Sequence, residues 1–131
     1  MIFEIDQTFE QEFYVSEEIY QGYIQIFQDK NPLHTDEAFA TGKGFAGRVM
    51  HGNILNGFLS YFIGECLPTK HVIIHTQEIQ YKNPVYLNDR LCLRTRVTGI
   101  FESVNAVEFK FEFHSSNKVV AKGKFQIGMF V

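Results

Sequence analysis

The segment from His51 to Leu67 constrains this chain most. Ile54, Leu55, Phe58, Leu59, Phe62, Ile63 and Cys66 recur there at three- and four-residue steps, and few polar residues interrupt them. That period is helical. A helix this apolar needs cover over most of its surface, and the chain that follows it can supply that cover. Leu91, Leu93, Thr95 and Val97 alternate with Cys92, Arg94, Arg96 and Thr98. Val107, Phe109, Phe111 and Phe113 alternate with Glu108, Lys110, Glu112 and His114. Val119, Ala121, Phe125, Ile127 and Met129 are set against Lys118, Lys122, Lys124 and Gln126, and another apolar run spans His71 to Tyr81. One-sided alternation marks an antiparallel sheet with one covered face. The expected architecture is α+β, a long central helix wrapped by a curved antiparallel sheet, in one domain over residues 1–131. Gly57 and Gly64 are expected to let backbone approach the helix closely, and Gly123 and Gly128 to mark bends in the sheet.

Upstream, Ser16 is placed to cap a helix over about residues 17–28, with Glu17 and Glu18 in the first turn, where the helix dipole favours negative charge. Ile19, Tyr20, Tyr23, Ile24 and Phe27 form its apolar face. Pro32 keeps Asn31 out of helical angles, so Asp29–His34 reads as a fixed loop. Thr35 or Asp36 can cap a brief turn after it. Residues 41–50 hold three glycines and read as irregular. Asn88-Asp89 offers a turn, and Ser115-Ser116-Asn117 a hairpin connection.

Charge and cysteine content narrow the partners. The net charge of −3 does not suggest a nucleic-acid ligand. Residues 1–65 carry 10 acidic and 3 basic side chains, whereas 66–131 carry 5 and 9. The strand-rich half is therefore mildly basic, which suits either an anionic ligand or a solvated face of Lys and Arg. Two cysteines, Cys66 and Cys92, lie in apolar surroundings and read as free thiols in a reducing compartment. The acidic start of the chain does not read as a signal peptide. No apolar run reaches the roughly 18 residues of a membrane span. A cytoplasmic protein is expected.

Asp29, Asn31 and His34 stand within six residues around a proline. A carboxylate and an imidazole in a rigid loop can grip one water, the carboxylate taking a proton as the water attacks. Imidazole suits the partnership because it titrates near neutrality. Asn31 brings a donor and an acceptor to steady the pair. Gly52 and Asn53 open the central helix, whose first N–H groups have no intrahelical partner. An acyl oxygen could approach the Gly52 N–H, and the helix end would favour negative charge there. His51 reads as a histidine that braces this region, and Asn53 as an amide at the pocket mouth. The five histidines show no closed metal-ligand spacing, so no metal is expected.

Three segments together resemble the MaoC-like (R)-specific enoyl-CoA hydratases of the hydratase 2 type. Asp29-Lys30-Asn31-Pro32-Leu33-His34-Thr35-Asp36 resembles their hydratase motif. Gly47-Arg48-Val49-Met50-His51-Gly52 resembles the lead into their central helix, and Tyr81 to Asp89 is similar to their later "F..PV..GD" segment. The resemblance implies a hot-dog fold, usually dimeric, acting on coenzyme A thioesters with no metal or redox cofactor. It assigns water activation to Asp29 and His34, support to Asn31 and Ser60, and the thioester oxygen to the Gly52 backbone N–H. The implied reaction is reversible syn hydration of trans-2-enoyl-CoA to (R)-3-hydroxyacyl-CoA. Gln28, Asn53 and Asn88 depart from the family pattern.

Other readings fit the same features. A hot-dog acyl-CoA thioesterase would aim the water at the thioester carbonyl instead. A dehydratase acting on acyl carrier protein would need a basic rim, for which Arg94, Arg96 and Lys122 are candidates. A non-catalytic acyl-CoA-binding domain would keep the pocket without turnover. Phe27, Phe39, Phe45, Phe58 and Phe62 are candidates to limit acyl length. The free edges of the sheet suggest a homodimer.

Overall fold

The computed structural model describes residues 1–130. Five strands form one antiparallel sheet: β1 (Thr8–Tyr14), β2 (Val72–Tyr81), β3 (Arg90–Phe101), β4 (Ala106–Ser115) and β5 (Lys118–Met129). Their order across the sheet is β1-β3-β4-β5-β2, so β1 and β2 are the edges. Four α-helices accompany them: α1 (Glu17–Phe27), α2 (Pro32–Thr35), α3 (Glu37–Gly42) and α4 (Asn53–Tyr61). This is the α+β arrangement that the periodicity predicts, a curved sheet around a central helix.

The sheet buries its apolar rows against α4. Leu91, Leu93, Thr95 and Val97 on β3 are buried, as are Val107, Phe109, Phe111 and Phe113 on β4. Phe13 of β1 stacks on Phe58 of α4 with centroids 4.5 Å apart, and Phe109 stacks on Phe125 at 4.6 Å. Ile54, Leu55, Phe58 and Leu59 of α4 are all buried. Each such side chain contributes about 1.5–3 kcal/mol relative to exposure, so packing rather than intrinsic helicity holds this nine-residue helix.

The central helix is not uniform. After Tyr61 it widens into a π turn over Phe62–Cys66, then stops at the extended Leu67 before Pro68. One turn of apolar residues reads alike for i→i+4 and i→i+5 bonding, so periodicity does not distinguish them. The expectation for Gly57 and Gly64 is overturned: both are exposed, and a Cβ at either would meet nothing within 4 Å. Close approach occurs instead between β5 and β2. There a Cβ at Gly123 would run into the Glu78 carbonyl, and one at Gly128 into the His75 ring. His75 lies at the register shift between Ile74 and Thr76. Neither cysteine is fully buried; both are half-exposed free thiols. Asn88 turns the chain at φ 71°, as its residue type allows.

The charge asymmetry of the two halves is closed in part by topology. Pairing β1 with β3 sets Glu10 against Arg94 at 3.3 Å and Asp6 against Arg96 at 2.8 Å. These pairs are exposed, so they neutralise the outer face more than they stabilise it.

Candidate active site

Two helix ends position Asp29 and His34. α1 stops because Gln28 takes left-handed angles, φ 61°, while its N–H closes onto the Ile24 carbonyl at 2.8 Å. Asn31 then caps α2, its Oδ1 accepting from the Leu33 N–H at 2.9 Å. Pro32 occupies the first turn, where its missing N–H would be unpaired in any residue. The loop expected from Asp29 to His34 thus contains a single helical turn, and His34 lies in it. Asp29 Oδ1 accepts from the Asn31 backbone N–H at 3.2 Å. Asn31 therefore organises the site by capping α2 and by fixing the Asp29 carboxylate through its main chain.

Each histidine commits one nitrogen to a carbonyl. His34 Nδ1 donates to the Val49 carbonyl at 2.7 Å, which leaves Nε2 with its lone pair in the neutral ring. His51 Nε2 donates to the Asp29 carbonyl at 2.9 Å. His51 Nδ1 is buried without a partner. The two rings lie 4.1 Å apart at an interplanar angle of 32°. Burial pushes the His51 imidazole below its ordinary value, against the opposing effect of its bond to Asp29.

The ligand atoms of Asp29, His34 and His51 all lie within 4.8 Å of one another. That convergence was not visible in the histidine spacing, because His51 arrives from the start of α4. The distances suit a held water and would also suit an ion. Below the site, the Tyr20 hydroxyl donates to the His34 carbonyl at 2.5 Å, and Arg48 lies over the Tyr20 ring at 5.1 Å. Arg48 also pairs with Glu37 at 3.4 Å.

A cavity of about 520 Å³ opens beside these groups, bounded by His34, His51, Gly52, Asn53, Tyr81 and Pro84 among others. Among the described residues, the Gly52 N–H has no backbone acceptor. A Cβ at position 52 would sit 2.9 Å from the outer end of the half-exposed Tyr81 ring, so glycine lets that ring lie close to the helix end.

The remaining candidates are placed apart. Ser60 is exposed two turns along α4, outside the cavity wall. Of the five phenylalanines considered for acyl length, Phe45 lines the cavity, while Phe58 and Phe62 belong to the core. Phe27 is 66% exposed and Phe39 39%. Arg94, Arg96 and Lys122 lie on the opposite face of the sheet; Lys82 is the cation at the cavity among the described residues. Tyr81 was missed as a site residue. Its place in the segment before Asn83-Pro84 was the available signal, but its approach to Gly52 depends on how β2 meets α4.

A curved sheet around a helix whose free N-terminus meets an Asp–His pair defines a hot-dog protein with an acid–base site. The MaoC like domain matches residues 3–119, and the chain belongs to that family. It is 30% identical over 110 residues to the (R)-specific enoyl-CoA hydratase of Rhodospirillum rubrum, covering 84% of this chain and 76% of the relative. It is 34% identical over 81 residues to the (R)-specific enoyl-CoA hydratase of Aeromonas caviae, covering 62% and 60%. The solved (R)-hydratase of A. caviae superposes with a TM-score of 0.90 at 23% identity, covering 98% of both chains. The (R)-hydratase PhaJ1 of Pseudomonas aeruginosa superposes at 0.87 with 26% identity, covering 97% of this chain and 82% of that one.

Proposed function

We infer that this chain catalyses reversible hydration of a trans-2-enoyl-CoA to the (R)-3-hydroxyacyl-CoA. The observation that carries this reading is the convergence of Asp29 and His34 beside the free end of α4. The substrates and stereochemistry named for the R. rubrum and A. caviae relatives support it.

Water held between the Asp29 carboxylate and His34 Nε2 attacks C3 of the enoyl group. A C–O bond forms, the C2=C3 electron pair moves toward the thioester carbonyl, and negative charge collects on its oxygen. The Gly52 N–H and the helix end oppose that charge. The proton released by the water goes to the Asp29–His34 assembly, which returns a proton to C2 on the same face. Asn31 supports the pair through the α2 cap. His51 holds the Asp29 backbone in place, and Asn53 forms part of the mouth. Ser60, exposed two turns along α4 and outside the cavity wall, is given no part in these steps. The working unit in this reading is a homodimer, with coenzyme A rather than acyl carrier protein as the carrier.

The test is loss of enoyl absorbance from crotonyl-CoA, with a thiol reagent present and product chirality determined. Asp29→Asn and His34→Ala are each expected to lower kcat by ~10²–10⁴-fold. Activity should survive exhaustive chelation, since the water is held by the side chains alone. Thiol release from saturated acyl-CoA would support a thioesterase, and parent-level hydration by both variants would overturn the assignment.

A further inference from the structure

We propose that the Tyr81 hydroxyl is a second hydrogen-bond donor to the thioester oxygen, aimed by Asn56 and Gln77. This rests on the hydratase reading above and adds a catalytic residue to it. The Tyr81 ring lies against Gly52, with its hydroxyl oxygen 3.3 Å from where a Cβ at that position would stand. Both residues bound the cavity that holds His34 and His51. The phenol therefore stands on the same stretch of cavity wall as Gly52, whose N–H takes the acyl oxygen in that reading.

Its hydrogen-bond direction follows from its neighbours. Gln77 Nε2 donates to Asn56 Oδ1 at 3.0 Å, which orients the Asn56 amide. Asn56 Nδ2 then donates to Asn53 Oδ1 at 3.0 Å and to the Tyr81 hydroxyl at 3.3 Å. An amide nitrogen only donates, so the phenol oxygen is the acceptor in that contact. Among the described residues, the phenol hydrogen has no acceptor of its own, and it is available to the cavity. The network also gives Asn53 a task, since it takes up one of the two Asn56 N–H groups.

Burial, with a smaller effect from Tyr23, pushes the Tyr81 phenol above its ordinary value, so it keeps its proton at neutral pH. No proton leaves Tyr81 in the reaction. The hydroxyl shortens its bond to the oxygen as charge accumulates there, which is the behaviour of an oxyanion donor. One N–H from α4 and one O–H from β2 then approach the same oxygen from two elements.

The experiment compares the full-length parent with Tyr81→Phe and Asn56→Leu. Tyr81→Phe keeps the ring and loses only the donor. It should lower kcat on crotonyl-CoA by about 10²-fold with little change in KM, the lower end of the scale for one lost oxyanion donor. Asn56→Leu should lose a smaller part of kcat, because the phenol remains but is no longer aimed. A binding readout uses the absorption band of 2,4-hexadienoyl-CoA in the Asp29→Asn background. A polarised carbonyl moves that band to the red, and adding Tyr81→Phe should shrink the shift. An active parent with Tyr81→Phe at the parent kcat, an effect confined to KM, or an unchanged band shift would each overturn the role of Tyr81 alone. A parent that hydrates no enoyl thioester would overturn the hydratase reading and this inference with it.

Discussion

His51 has one nitrogen bonded and the other stranded. Its Nε2–H holds the Asp29 carbonyl, while Nδ1 faces protein without a partner. An unmet buried acceptor costs about 1–3 kcal/mol, and the loss of solvent around a protonated ring, with His34 beside it, outweighs what Asp29 offers that charge. The folded-state pKa is accordingly below the ordinary 6.5. As pH falls through that ordinary value, the unfolded chain gains a proton that the folded chain resists, so stability declines. Above it both states are neutral and the effect vanishes. His51→Gln keeps a donor for Asp29 and removes the titration. Urea midpoints from pH 7.5 to 5 should fall less steeply for His51→Gln than for the parent; parallel profiles would show that His51 is not responsible.

At the scale of elements, α2 is the shortest of the four α-helices and carries His34. Its four residues cannot form a helix alone. Asn31, Pro32 and the pinning of His34 to Val49 make it a fixed turn. Asn31→Ala should cost about 1 kcal/mol of stability, the usual scale of a lost cap. It should also lower kcat, because the turn bearing His34 loosens; a shifted urea midpoint with unchanged turnover would separate the cap from the chemistry. This element also shows what could be read in advance. Asp29, Asn31 and His34 are neighbours in sequence, so their proximity needed no knowledge of the fold. Strand faces were legible for a similar reason, as alternation records burial directly in Leu91–Val97 and Val107–Phe113. His51 meeting Asp29 and Tyr81 meeting Asn56 were not legible, since each contact closes over 22 or more residues and depends on how α4 lies in the sheet. The roles expected for Gly57 and Gly64 failed because a small residue marks either close packing or open space, and sequence does not tell which.

For the whole molecule, the two sheet edges differ in a way that favours one for self-association. β1 has seven residues, and Glu10 and Glu12 place charge along it. β2 has ten residues and one formal charge, Glu78, with Ile73 58% exposed and Tyr81 50% exposed. A long edge with little charge is open to pairing unless something covers it. A second copy related by a two-fold axis would supply that cover with the same strand. We therefore expect a dimer through β2, which would also bring the Tyr81 end of the cavity close to the partner. Sedimentation at micromolar protein should give twice the 15.2 kDa chain mass. Ile73→Lys places a charge where the isolated chain leaves the side chain largely in water, so the monomer should tolerate it. In the paired edge the same charge would lose solvent without gaining a partner, at a cost of several kcal/mol. The variant should sediment as a folded monomer, and its hydration rate would then report whether one copy suffices for catalysis. A parent that sediments as a monomer, or an Ile73→Lys variant that remains dimeric, would rule out pairing through this edge.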